Sequence, residues 1–83
     1  MTAPRIAPGF RLQFEPAQEA WVLLYPEGMV KLNGPAAEIL QRCSGSASVE
    51  AITADLERSF GESNLRADVD EFLVDARGRG WIA

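Results

Sequence analysis

The chain has 83 residues, 47% hydrophobic and 24% charged. That suits one small folded domain and excludes a disordered tail, and no apolar run approaches the roughly 20 residues that a membrane helix needs. Twelve acidic against eight basic side chains leave a net charge of −4 with the cations scattered, so no nucleic-acid footprint is present. The lack of histidine and the single Cys43 exclude Cys/His zinc sites, Ser-His-Asp and Cys-His catalysis, and an intramolecular disulfide.

Residues 1–8, with two prolines and two alanines, read as a loose arm. The arm lacks the apolar core of a secretory signal, which predicts a cytoplasmic protein. Phe10, Leu12 and Phe14 then alternate with Arg11, Gln13 and Glu15, the period of a strand with one buried face. Pro16 to Glu19 supplies a turn. Trp21 to Tyr25 is aromatic and branched throughout, as in a strand covered on both sides. Pro26-Glu27-Gly28 predicts a tight hairpin into Met29 to Asn33, where Val30 and Leu32 share one face while Met29 and Lys31 share the other.

Asn33 is placed to cap a helix, and Pro35 suits its first turn. Ala36, Ile39, Leu40 and Cys43 form the apolar stripe of this helix, which Ser44-Gly45-Ser46 ends. Ser48 caps the next, with Val49, Ile52, Leu56 and Phe60 at helical spacing before Gly61. A third stripe runs through Leu65, Val69, Phe72, Leu73 and Ala76, with Asp68, Asp70 and Glu71 near the favourable end of the helix dipole. Arg77-Gly78-Arg79-Gly80 closes it, and Trp81-Ile82 is expected to fold back onto the core. The reading is a single α+β domain over residues 1–83: a three-stranded antiparallel sheet followed by three helices, winged helix-turn-helix-like.

Catalytic chemistry finds little to work with. The glycines form no phosphate-binding loop. Asp68, Asp70, Glu71 and Asp75 are expected to fill the wet face of a helix, Cys43 to be a packed thiol, and Trp21 and Trp81 to serve the core. Neither a metal nor a cofactor is expected. An open sheet, by contrast, has edges whose free N–H and C=O groups can receive another peptide.

Gly9-Phe-Arg-Leu-Gln-Phe-Glu15, Val22-Leu-Leu-Tyr-Pro-Glu-Gly-Met-Val-Lys-Leu-Asn33, Ala37-Glu-Ile-Leu40, Asp68-Val-Asp70 with Phe72-Leu73, and Gly80-Trp81 together resemble the coenzyme PQQ synthesis protein D family. The resemblance implies a winged helix-turn-helix-like RiPP recognition element: a non-catalytic peptide chaperone. Such a protein binds the precursor peptide of pyrroloquinoline quinone and presents it to a radical SAM enzyme, which cross-links a glutamate and a tyrosine. It further implies that the precursor adds as a strand beside the third strand, with the third helix as the other wall.

The candidate site is therefore Met29, Val30, Lys31 and Leu32 on the strand, and Val69, Phe72, Leu73, Ala76 and Arg77 on the helix. Which alternate set on the strand faces the groove is open at this stage. The competing reading is a small DNA-binding regulator, against which the acidic opening of the third helix speaks. A homodimer through the same free edge is compatible with the sequence.

Overall fold

Leu12 and Phe14 point to one side of their strand and Gln13 to the other, and this alternation sets the sheet register. The computed structural model describes residues 3–83. Among these residues three strands precede three helices: β1 (Arg11–Glu15), β2 (Ala20–Tyr25), β3 (Gly28–Lys31), α1 (Gly34–Gln41), α2 (Val49–Phe60) and α3 (Arg66–Gly78). The strands form one antiparallel sheet in the order β1-β2-β3. The α+β, winged helix-turn-helix-like arrangement is thus the one expected.

Leu12 pairs with Leu23, and Leu23 with Val30, so these three lie on one face with Phe14 and Trp21. Leu12, Trp21, Leu23 and Val30 pack from that face onto the core, while Phe14, expected there by the alternation, is 45% exposed and its ring meets Trp21 edge-on at 5.7 Å. Gln13, Val22 and Lys31 line up on the opposite face. Val22 and Leu23 are adjacent, face opposite ways and are both 0% exposed, so the middle of β2 is covered on both sides as its apolar run predicts.

Local chemistry sets the helix ends. Asn33 Oδ1 accepts from the Ala36 N–H at 2.8 Å, and Ser48 Oγ from the Ala51 N–H at 3.0 Å, capping α1 and α2. Gly61, at φ 63°, closes α2. No side chain of its own caps α3; the Glu57 carboxylate of α2 instead accepts the Leu65 N–H at 3.0 Å. At the far end, Gly80 and Trp81 donate back to the carbonyls of Arg77 and Ala76, turning the chain toward the core. Ile82 is buried there and Trp81 packs against the core, as expected.

Two readings are corrected. Residues 4–7 are not loose: Pro4 is fully buried, Arg5 bridges to Ser44, and Ile6 bridges to Ile82. Hydrogen bonds from Gly45 N to Pro4 O, Ala7 N to Trp81 O and Ala83 N to Arg5 O complete a strap between the α1–α2 loop and the C-terminal segment. Proline and alanine suggested a free arm, but this backbone finds its partners far away in sequence. The beginning of the predicted arm, residues 1–2, lies outside the described residues. Phe60, read as the last member of the α2 stripe, is 52% exposed, because the core stops at Leu56. Among the described residues no helix is long and apolar enough to cross a membrane.

Candidate functional site

β3 is an edge strand, and its pairing decides which backbone groups are free. The Leu32 N–H donates to Trp21 O at 3.0 Å, so Leu32 and, two residues back, Val30 turn their polar groups toward β2. The N–H and C=O groups of Met29 and Lys31 then point out of the sheet. Their side chains lie on the outer face, Met29 being 46% exposed, while Val30 and Leu32 face the helices. Val30 and Leu32 thus turn toward the helices, while Lys31 belongs to the outward-facing alternate set.

Beside this edge runs a groove of about 430 Å3. Val30, Lys31, Leu32 and Asn33 border it on the sheet side, Pro35, Ala36 and Ile39 come from α1, and Asp68, Phe72, Asp75, Arg79 and Trp81 form the opposite wall. Asp68, Phe72, Asp75 and Arg79 recur at i, i+4, i+7 and i+11, which is one stripe of α3 continued into its cap. At 1.5 Å per residue the stripe is about 16 Å long, enough for about five residues of extended peptide.

The sequence-predicted residues divide. Val30, Lys31, Leu32 and Phe72 line the groove. Val69, Leu73 and Ala76 are 2%, 2% and 0% exposed and do not line this groove; they pack in the core beneath it, and Val69 also lines a neighbouring pocket. Apolar periodicity picks out the stripe that packs inward, whereas the groove wall lies one position round the helix and carries two aspartates. Met29 offers backbone but no side chain to the groove, and Arg77 is exposed outside it. Asn33 and Pro35 were read only as helix-start residues, and Asp68 and Asp75 only as solvated acids. Trp81 both packs on the core and lines the groove.

Charge is arranged at the rims. Arg79 Nε bonds Asp75 Oδ2 at 2.9 Å, and its guanidinium lies 5.4 Å from the centre of the Trp81 ring, which fixes one end of the wall. Lys31 borders the groove on its sheet side. On its exposed surface α3 carries Asp68, Asp70, Glu71 and Asp75, a poor match for phosphates, and this disfavours the DNA reading. Cys43 takes no part: it is buried, its thiol donates to Ile39 O at 3.4 Å, and burial pushes its pKa up to about 11. Among the described residues no cluster of histidine, cysteine, aspartate and glutamate could hold a metal ion.

Residues 20–82 match the family described as Coenzyme PQQ synthesis protein D (PqqD). A PqqA binding protein of Azotobacter vinelandii is 55% identical over 80 residues, covering 95% of this chain and 87% of the relative. One from Methylococcus capsulatus is 43% identical over 81 residues, covering 98% of this chain and 87% of its own length. Among solved structures, the solution NMR structure of the PqqD truncation of Methylobacterium extorquens PqqCD, a functional and stand-alone RiPP recognition element, superposes with a TM-score of 0.79. It is 26% identical, with 96% of this chain and 87% of that chain covered. The three strands, the three helices and the sequence identity agree, and this chain belongs to the coenzyme PQQ synthesis protein D family.

Proposed function

We propose that the protein is a non-catalytic peptide chaperone of pyrroloquinoline quinone biosynthesis. It binds the precursor peptide PqqA as an added strand on β3 and presents it to a radical SAM enzyme that cross-links a glutamate and a tyrosine. The observation that carries the reading is the outward-facing backbone of Met29 and Lys31 above a groove walled by α3. Relatives named PqqA binding proteins support the ligand. Backbone pairing supplies affinity with little dependence on sequence, and Phe72 with the flanking charges supplies selection. A modest affinity suits the task, since a peptide must leave to be processed.

Lys31→Pro tests the mode directly. It removes an outward N–H on an edge strand and leaves the β2–β3 ladder intact, whereas Val30→Pro would break that ladder. The expected result is a folded protein whose affinity for PqqA falls about tenfold, the scale of one lost hydrogen bond of about 1.4 kcal/mol. In a backbone NMR titration, the amides of Met29 and Lys31 should shift together with those of Phe72 and Asp75. Undiminished binding by Lys31→Pro, with shifts confined to other surfaces, would discard strand addition.

A further inference from the structure

Beyond the groove, a second pocket of about 520 Å3 opens between the start of α1, the end of α2 and the start of α3. Its apolar lining includes Pro35, Ile39, Leu56, Phe60 and Leu65. Pro35, Ile39 and Asp68 border both spaces, so the pocket continues the groove past Asn33. Phe60 is 52% exposed at this place, an aromatic side chain that the core does not use.

The rim of the pocket is acidic. Glu38, Glu62 and Asp68 border it; Glu38 is neutralised by Arg42 at 2.9 Å, while Glu62 and Asp68 form no ion pair among the described residues. An apolar lining under two unbalanced carboxylates selects for a bulky apolar side chain next to a cation.

We propose that this pocket is a second subsite for the same peptide. It takes a large apolar side chain, with a neighbouring lysine or arginine, from the flank that runs on beyond the strand-paired stretch. The inference rests on the strand-addition reading, because only a peptide already lying along β3 is led into the pocket. Pairing on β3 would then hold the middle of the peptide, and the pocket would fix its register by accepting one side chain.

The test uses the full chain, PqqA, and PqqA shortened from either end. Phe60→Ser removes an exposed ring outside the core, so the variant should keep its melting temperature. Its affinity for full-length PqqA should fall about tenfold, and Glu62→Lys should weaken binding more at low salt than at high salt. Shortening one end of PqqA should cost the native protein a similar factor and cost Phe60→Ser nothing further, since the two changes remove one contact. If Phe60→Ser and Glu62→Lys bind every peptide as the native protein does while Lys31→Pro loses affinity, the subsite is refuted and strand addition stands. If Lys31→Pro also binds normally, both are refuted.

Discussion

Phe72 and Leu73 are neighbours in sequence and point about 100° apart around α3, and that angle sends one to the groove wall and the other into the core. Phe72 is half-buried on the groove wall, while Leu73 is 2% exposed in the core. Phe72→Ala should lower PqqA affinity about tenfold or more and cost less stability than Leu73→Ala, because Phe72 is only half-buried against the edge of the core. Leu73→Ala should destabilise the fold by about 2–5 kcal/mol and bind normally at temperatures where it stays folded. Urea denaturation and calorimetric titration of the two variants check both statements, and the reversed pattern would exchange the two stripes. Cys43 gives a second expectation at this scale. With its pKa pushed up to about 11 by burial, the thiol should resist iodoacetamide at neutral pH and react only once the chain is unfolded, as mass spectrometry would read.

Between elements, α1 and α2 are joined by Arg42, whose Nε lies 2.6 Å from Asp55 Oδ2 while its Nη1 reaches Glu38 at 2.9 Å. Asp55 also receives Arg58 at 2.9 Å, and the hydrogen bond from Arg42, ahead of its charge and of Arg58, holds the Asp55 carboxyl below the usual aspartate range. A carboxyl depressed by folding contributes stability that is full above its unfolded pKa and is lost as pH falls through the folded one. The melting temperature should therefore drop on acidification below about pH 4, and Asp55→Asn should remove part of that drop. An unchanged acid limb in the variant would assign the loss to other groups. Caps such as Asn33, Ser48 and Gly61 were legible in the sequence because each acts on residues a turn away. The Glu57 carboxylate at the start of α3 was not, since its partner Leu65 lies eight residues on, across the α2–α3 turn. The groove face of α3 was hidden for a related reason: a wall made of Asp68, Phe72, Asp75 and Arg79 has no apolar period to detect. On the strand the sequence named the residues that border the groove but not which of them turn inward, and on the helix it named Phe72 alone of those that line the wall.

At the scale of the whole molecule, the strap joins the two ends of the described chain. Ile6→Asp should cost roughly 1–3 kcal/mol and expose the amides of Ala7 and Ala83 to hydrogen exchange while leaving the β2–β3 ladder protected. Equal protection in variant and native protein would show that the strap adds nothing. The same bridge makes residues 6 and 82 immediate neighbours, next to Trp81 at one end of the groove and, along α3, away from the Phe60 pocket. Labels placed at residues 6 and 82 would thus report from a single point on the surface, beside Trp81 at the end of the groove.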